Sequence, residues 1–402
     1  MSVFTIEVSR PGRFGLETSA TLELPATWQE FLDAKQKARV TDDTVIYSSG
    51  LVDCKYDWLT PHIVNSTNPS ELNLLAERLE SHIKDDIDIL EAMVKIETRR
   101  NNGQPIPLPR LINLTFSIGN CQVVGNITSD ALLGRFLFDN DFLSEEDAAA
   151  IQTRIDSKQN VSELLSTLGK EHRINIGGIL TASGCYIEFD GGVNEAYIPG
   201  SMDTLDHPSA PMIMEIFKRT GNDQLKTATL DMPPYTINAI SEAFKKVGVK
   251  SLRECGYHCT DCLIPPAKEW INSAGDIEKA YNFAITLDRF ALHEGVVELK
   301  ALLEATKCSD LDTAMSMADD ISDYKLIAEF SGAEDYARDY LGRLQADTGG
   351  LDLSGFVNLY KLGKKVMEQD NAIWTSYGIL KRLDGGPILS QSDIPNMRME
   401  MA

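Results

Sequence analysis

The segment ATLELP at residues 20–25 returns as ATLDMP at residues 228–233, an offset of 208. Self-similarity at a fixed offset is the signature of a repeated structural unit. The same offset places the strand-like Ile6-Glu7-Val8 on Met214-Glu215-Ile216, and Asp53-Cys54 on Asp261-Cys262. Further on the offset drifts to 194, where LGK at residues 168–170 meets LGK at residues 362–364. Because these matches keep their order along the chain, we interpret the sequence as a tandem duplication.

The duplication predicts the domain boundaries. A first unit covers residues 1–192 and ends in Asp-Gly-Gly, and a second unit covers residues 211–386 and ends in the same triplet. Residues 193–210 form the predicted linker, which is rich in the turn residues Pro, Gly and Asp, and residues 387–402 form a tail. The halves are similarly acidic, with a net charge of −12 in residues 1–200 and −10 in residues 201–402.

Local patterns predict the structure of each unit. Apolar and polar residues alternate over residues 4–8 and 16–24, as in a half-buried hairpin, and Thr27 with Glu30 forms a capping-box pattern that starts a helix. Spacings of three and four between apolar residues predict two amphipathic helices over residues 71–97, broken near residues 82–86. Residues 177–181 and 184–187 close the unit as a strand pair. The predicted fold class is α+β, with two tandem related units that carry small antiparallel sheets at the ends and helices between.

The chain is strongly acidic. It has 402 residues, 60 Asp plus Glu against 38 Lys plus Arg, a net charge of −22 and a pI near 4.7. With 43% hydrophobic residues, the acid excess is carried by a folded scaffold and not by a disordered tail. A surface of this sign repels phosphate backbones and anionic membranes, so we expect no direct nucleic-acid or membrane partner. The expected partner is basic.

Compartment signals point to the cytoplasm. The first ten residues, MSVFTIEVSR, lack the basic and apolar regions of a secretory signal, and no apolar run reaches the roughly 20 residues that span a bilayer. Seven cysteines at irregular spacing fit reduced thiols better than a disulfide framework. We therefore expect a cytoplasmic protein.

One cysteine cluster could carry chemistry. Cys255, Cys259 and Cys262 have the C-x3-C-x2-C spacing of radical S-adenosylmethionine enzymes, but only 140 residues follow and these belong to the repeat. Zinc is the second interpretation, with His258 as a further ligand type, although His258 is adjacent to Cys259. Ordinary buried thiols are the third and the one we favour, so these cysteines stay weak metal candidates and no cofactor is expected.

Other catalytic signatures are missing from the sequence. It has no Gly-x-Ser-x-Gly elbow, no phosphate-binding loop of the Gly-x4-Gly-Lys-Ser/Thr type and no His-Glu-x2-His pair. None of the six histidines occupies matched positions in the two copies. We expect the protein not to be an enzyme.

Acidic clusters occur in both copies. Besides Asp42 and Asp43, the predicted partner-binding face comprises Asp85, Asp86, Asp88, Glu91, Asp139, Asp141, Glu145, Glu146, Asp147, Asp319, Asp320, Asp323, Glu334, Asp335 and Asp339. Such clusters are commonly a solvated face that keeps a protein in solution. They also permit a sharper hypothesis: at two phosphates per base pair, the net charge could imitate about 11 base pairs of DNA.

Several ordered motifs resemble the ArdA family of antirestriction proteins. The first copy carries LPAT at residues 24–27, ELNLLAERL at 71–79, LINLT at 111–115, LGRF at 133–136, LGKE at 168–171 and Gly177-Gly178, followed by the closing strand at residues 184–187. The second copy carries fainter counterparts: YNFA at 281–284, YARD at 336–339, LGKK at 362–365 and SYGI at 376–379. These motifs cover nearly the whole chain.

The resemblance implies an elongated, acidic DNA mimic, encoded on mobile elements, that occupies the DNA-binding groove of type I restriction-modification enzymes without catalysis or cofactor. Family members are commonly single units that pair as dimers, whereas this chain carries two units. The fused copies could replace that dimer or form a homodimer of their own. Two alternatives stay open: inhibition of another nucleic-acid-targeting defence system such as a CRISPR effector, and a metal- or Fe-S-dependent enzyme using Cys255, Cys259 and Cys262.

Overall fold

The structure is a computed structural model. It describes residues 2–11, 17–40, 47–63, 68–200, 208–219, 226–234, 236–291, 295–330, 332–347 and 353–390. Asp42, Asp43, residues 201–207 of the predicted linker and residues 391–402 of the predicted tail lie outside the described residues. No helix in the described ranges is both long enough and apolar enough to cross a membrane.

The first copy alternates strands and helices. Its strands are β1 Phe4–Pro11, β2 Glu17–Leu24, β3 Ser48–Cys54, β4 Gln122–Val124, β5 Ile179–Leu180 and β6 Tyr186–Glu188. Its helices are α1 Trp28–Lys37, α2 Pro69–Ser81, α3 Lys84–Arg100, α4 Leu108–Thr115, α5 Asp130–Asp139, α6 Glu145–Asp156 and α7 Ser162–Ile176. The strands form two three-stranded sheets of order β2-β1-β3 and β4-β6-β5.

The second copy repeats this arrangement. Its strands are β7 Met212–Lys218, β8 Thr227–Met232, β9 Cys255–Cys262, β10 Tyr324–Ile327, β11 Ile373–Thr375 and β12 Gly378–Arg382. Its helices are α8 Ile237–Val247, α9 Ala267–Ala274, α10 Ile277–Ala291, α11 Val296–Ala305, α12 Leu311–Asp319, α13 Ala333–Asp347 and α14 Leu359–Gln369. The sheets have the orders β8-β7-β9 and β10-β12-β11.

Equivalent strands therefore hold equivalent places in the two copies, and the predicted α+β class with small antiparallel sheets is confirmed. The peptide bonds that close the two quoted segments, Leu24-Pro25 and Met232-Pro233, are both cis. One clear difference is helical: among the described residues of the second copy, no α-helix corresponds to α6.

Several predicted helices begin or end at the local sequence signals that predicted them. At the start of α1, the Thr27 hydroxyl accepts a hydrogen bond from the Glu30 amide, and the Glu30 carboxylate accepts one from the Thr27 amide. Helices α2 and α3 are separated at His82 and Ile83, inside the predicted break. Ser144 caps α6 by accepting a hydrogen bond from the Asp147 amide at 3.1 Å. Capping and apolar spacing act within a few residues, so the sequence alone predicts them well.

Glycines explain two of the repeated motifs. A Cβ on Gly169 of α7 would lie 1.9 Å from the carbonyl oxygen of Asp130 in α5, and a Cβ on Gly134 would lie 1.9 Å from that of Leu165. In the second copy a Cβ on Gly363 of α14 would lie 1.8 Å from the carbonyl oxygen of Ala333 in α13. The LGK motif thus marks a close crossing of two helix backbones, which no larger residue would permit without a shift.

The chain divides into two compact units that differ from the predicted division of the sequence at residues 192 and 211. The first comprises residues 1–5, 23–25 and 50–205, and the second comprises residues 6–22, 26–49 and 206–402. Helix α1, which belongs to the first sequence copy, is therefore part of the compact unit that contains the second copy. The residues that hold it there are described below.

Candidate functional site

The predicted acidic residues of α3 lie in the first half of that helix, with Asp85 and Asp86 in its first turn. Asp85 is exposed, whereas Asp86, Asp88 and Glu91 are partly exposed. Asp86 lies 3.4 Å from His82, and Glu91 forms an ion pair with Lys95. Carboxylates in a first helical turn interact favourably with the positive end of the helix dipole. Asp85 and Asp88 have no basic partner within ion-pair distance among the described residues.

The densest acidic group surrounds the turn from α5 to α6. We call it the acidic turn: Asp139, Asp141, Glu145, Glu146 and Asp147. The first four are exposed, and Asp147 is partly exposed, as it accepts a hydrogen bond from Ser144. Asp139 is paired with Arg135 at 2.8 Å. Asp141, Glu145 and Glu146 have no basic partner among the described residues.

The acidic residues of the second copy behave unequally. Asp319, Asp320 and Asp323 are exposed at the end of α12 and in the turn after it, where Asp319 pairs with Arg289 at 3.2 Å. On α13, Glu334 is partly exposed, and Asp339 is exposed and pairs with Arg343 at 3.2 Å.

Asp335 is the exception among the predicted face residues. It is 1% exposed and lies 3.1 Å from Arg338 one turn along α13. Its predicted place on an exposed face is therefore wrong, because the buried stripe of α13 includes this position. The sequence around it shows only a charged run, which does not reveal which side of the helix is covered.

The three candidate metal-binding cysteines do not come together. They are all buried on strand β9, where Cys259 lies opposite Met214 and Cys262 opposite Met212. Cys255 and Cys259 are four residues apart on an extended strand, which separates them by about 13 Å, too far for one metal ion. Among the described residues, no group of three or more His, Cys, Asp and Glu side chains is placed to hold a metal.

Two of these thiols have raised pKa values. The contact with Cys262, together with burial, raises the pKa of Cys259, and burial raises the pKa of Cys255. Metal binding needs the thiolate, which a raised pKa disfavours. Of the three interpretations of this motif, ordinary buried thiols agree best with the positions of the cysteines along β9.

Sequence reasoning missed a buried charge cluster in the second compact unit. The Lys300 ammonium lies 2.8 Å from Oδ1 of Asp33, and the Tyr377 hydroxyl donates to the same oxygen at 2.8 Å. Lys37 lies 2.8 Å from the other oxygen, Oδ2. Asp33 is 4% exposed and Lys300 is 2% exposed. We call Asp33, Lys37, Lys300 and Tyr377 the α1 charge cluster.

The electrostatics of this cluster are those of a tight ion pair. Burial by itself would raise the pKa of Asp33, but the charges of Lys300 and Lys37 outweigh it and hold that pKa below its usual range. Burial lowers the pKa of Lys300, with Asp33 opposing the shift, and burial raises the pKa of Tyr377. A buried pair of this kind is costly to break, because one charge is then left unpaired.

A second group of polar contacts joins the start of α1 to strand β9 and helix α9. The Thr27 hydroxyl donates to Oδ1 of Asp261 at 2.6 Å, and Lys268 pairs with Glu30 at 2.6 Å. Asp261 is buried, and burial raises its pKa. These contacts and the α1 charge cluster explain why α1 belongs to the second compact unit.

One sequence signal could have revealed the cluster. Lys300 stands in the run VVELKALLEA of α11, where its neighbours Leu299, Ala301 and Leu302 are all fully buried. A lysine in the buried part of a helix requires a partner of opposite charge. The identity of that partner, 267 residues earlier in the chain, has no local signal.

In comparisons with protein-family models and with curated protein sequences, nothing matches this chain.

Proposed function

We propose that this protein is an acidic DNA mimic that inhibits a host defence enzyme, and that it occupies the DNA-binding groove of a type I restriction-modification enzyme. The observation that carries the proposal is the lack of charge compensation in the acidic turn. Of its five carboxylates, only Asp139 has a basic partner among the described residues. Exposed carboxylates are negatively charged at neutral pH, so this turn presents a dense negative surface.

Several of the acids lie at the ends of helices, which hold the carboxylates at defined positions for a partner. Glu145, Glu146 and Asp147 lie in the first turn of α6, which is capped by Ser144. Asp85 and Asp86 lie in the first turn of α3. Acids on helix ends keep their positions better than acids on loops, and a groove that binds phosphates needs charges at defined positions.

Overall charge supports the same partner. The net charge of −22 is spread over both copies, and a groove lined with Lys and Arg attracts a surface of opposite sign at long range. The ordered motifs that resemble the ArdA family support the choice of type I restriction-modification enzymes among DNA-binding enzymes.

The test is a DNA-cleavage assay of a type I restriction enzyme with increasing amounts of this protein. We expect inhibition that weakens as salt is raised, since ionic contacts are screened. Undiminished cleavage at a large excess of the protein would contradict the proposal for this class of enzyme.

A charge-neutralised variant tests the acidic turn. The triple change Asp141→Asn, Glu145→Gln and Glu146→Gln removes three unpaired charges and leaves the Ser144 cap intact. At roughly 0.2–1 kcal/mol for each exposed charge, inhibition should weaken about tenfold. The matched control is Asp231→Asn, Glu242→Gln and Glu269→Gln, which removes three exposed acids of the second copy that lie outside the predicted face. If both variants weaken inhibition equally, bulk charge and not the acidic turn is responsible.

A further inference from the structure

The second compact unit contains a cavity that is lined by basic and hydroxyl-bearing side chains, in contrast to the acidic surface. It has a volume of about 580 Å³ and is lined by Thr18, Ser19, Ala20, Thr21, Lys37, Arg39, Trp374 and Ser376. Two side chains in this lining are cationic, four carry hydroxyl groups and none is acidic. Ligand cavities in proteins have volumes of roughly 300–1,000 Å³, so the space is sufficient for a small molecule.

Arg39 is a buried cation for which the described part of the chain supplies no ion-pair partner. Its side chain is buried, and its Nη1 donates to the carbonyl oxygens of Lys37 and Ser376. The Nε atom is buried without a hydrogen-bond partner, and no carboxylate among the described residues lies within ion-pair distance of the guanidinium. Buried charges in proteins are normally paired. Among the described residues, Arg39 therefore lacks the anionic partner that a buried guanidinium normally has.

The pKa of Arg39 is that of a buried guanidinium whose charge is incompletely compensated. Burial lowers its pKa to about 10, while the charge of Glu304 opposes the shift. The Oε1 atom of Glu304 accepts hydrogen bonds from the amide and the hydroxyl of Ser376, and among the described residues Glu304 forms no ion pair with Arg39. Arg39 thus keeps its positive charge at neutral pH, and burial makes that charge costly until an anion binds.

The backbone at Arg39 is unusual. It has a φ of 61°, in the left-handed region that favours glycine. The equivalent helix of the second copy, α8, ends at Gly248 with a φ of 75°. The first copy therefore holds an arginine where local chemistry favours glycine. Residues held in such conformations are concentrated at ligand-binding and active sites.

Trp374 and the strand edge give the cavity further binding groups. The Trp374 ring is 44% exposed, and its centroid lies 5.9 Å from the Arg39 guanidinium carbon. Ser19 and Thr21 are exposed on β2, which is an edge strand of its sheet. A planar ring of a ligand could contact Trp374 while its anionic group reaches Arg39 and Lys37.

From these contacts we propose that the cavity binds a small-molecule oxyanion, the phosphate or carboxylate group of a ligand that also has a planar ring. The guanidinium fork of arginine matches both groups with two parallel hydrogen bonds. The site is independent of the proposed DNA-mimic function, since it uses basic residues that the acidic face does not contain.

Calorimetric titration of the full chain tests the proposal with four probes at constant ionic strength: inorganic phosphate, adenosine monophosphate, benzoate and adenosine. We expect adenosine monophosphate to bind more tightly than phosphate, and adenosine, which has no charge, not to bind. If benzoate binds and phosphate compounds do not, the physiological group is a carboxylate. Absence of binding by all three anions at concentrations up to about 10 mM, well above the Kd range of ordinary metabolite sites, would overturn the proposal.

Variants identify the site. Arg39→Gln should weaken anion binding at least about tenfold, as expected for the loss of charge-assisted hydrogen bonds. Arg253→Gln makes the same change at an exposed arginine and should leave binding unaltered. Should the Arg39 variant fail to fold, Ser19→Asp places a negative charge at an exposed position of the cavity and should abolish binding by repulsion. Unaltered binding in Ser19→Asp would contradict this location.

Discussion

Helices α1 and α8 occupy the same place in the two sequence copies, yet they pack differently. Both follow the second strand of their sheet and both begin at a threonine N-cap, Thr27 and Thr236. Helix α8 buries Ala243 and Val247, as an ordinary amphipathic helix does, whereas α1 buries Asp33 within a charge cluster. The signals that start a helix survived duplication, while the long-range partners changed. In this pair of helices the copies therefore differ in tertiary contacts and not in the signal that starts the helix.

Breaking the α1 charge cluster should have the largest effect. Lys300→Ala removes the buried member of the two cations that lie 2.8 Å from the Asp33 carboxylate, and removal of one partner of a buried pair costs about 3–5 kcal/mol in the free energy of unfolding. Chemical denaturation measures this change. At an offset of 209, which matches Asn73 to Asn282 and Ala92 to Ala301, Glu91 of α3 takes the position of Lys300. Glu91 forms a partly exposed pair with Lys95. Glu91→Ala should cost less than about 1 kcal/mol, and equal losses would contradict the difference between the copies.

The loss of folding stability at low pH tests the role of Asp33 directly. Its folded-state pKa is lowered, so its ionised form contributes stability that is complete above the unfolded value of about 3.9. That contribution is lost as the pH falls through the lower folded-state pKa. Asp33→Asn should reduce stability by about 2 kcal/mol at pH 7 and flatten the pH dependence of the free energy of unfolding below about pH 4. If the pH dependence of the free energy of unfolding in this range is unchanged in the variant, Asp33 is not the group that titrates.

The two N-caps provide a matched pair. Thr27→Ala removes a capping hydrogen bond and also the bond to the buried Asp261, whereas Thr236→Ala removes only a cap to Ala239. Loss of a cap costs about 1 kcal/mol. Loss of the hydrogen bond to Asp261, whose Oδ1 then keeps the Cys262 amide as its donor, adds about 1 kcal/mol more. Thermal unfolding should therefore show a larger drop in Tm for Thr27→Ala. Equal drops would mean that the Thr27–Asp261 hydrogen bond contributes nothing.

Substitutions at Gly248, where α8 ends, should have the smallest effect on stability. A Cβ on Gly248 would meet no atom within 4 Å, so Gly248→Ala tests only the cost of the left-handed backbone. We expect a loss of about 1 kcal/mol, and a smaller loss for Gly248→Asn, because asparagine tolerates this conformation. Denaturant midpoints of the two variants measure the difference. If Gly248→Ala does not change the stability, the left-handed backbone at Arg39 is not strained either.

Much of the fold follows from local sequence. Four features are readable from residues that are close together in sequence: the capping box at Thr27, the break between α2 and α3, the Ser144 cap of α6 and the strand pair β5 and β6. The duplication itself follows from ordered identities. These features depend on periodicity and capping, which have the same physical cause in any protein.

Tertiary placement could not be predicted in the same way. Asp335 and the exposed Asp339 stand on the same helix with similar neighbours in sequence, and only packing distinguishes them. Cys255, Cys259 and Cys262 have the spacing of a metal motif, yet an extended strand separates the first from the second. The pairing of Asp33 with Lys300 and the cavity at Arg39 depend on contacts between residues hundreds of positions apart, for which a single sequence has no signal.

The most direct test of the central claim is competition between this protein and DNA for the same enzyme. Fluorescence anisotropy of a labelled DNA duplex bound to a type I restriction-modification enzyme would be followed as the protein is added. The DNA-mimic account predicts complete displacement of the duplex, with an apparent inhibition constant that rises linearly with DNA concentration. A ternary complex that retains the duplex, or inhibition independent of DNA concentration, would contradict it.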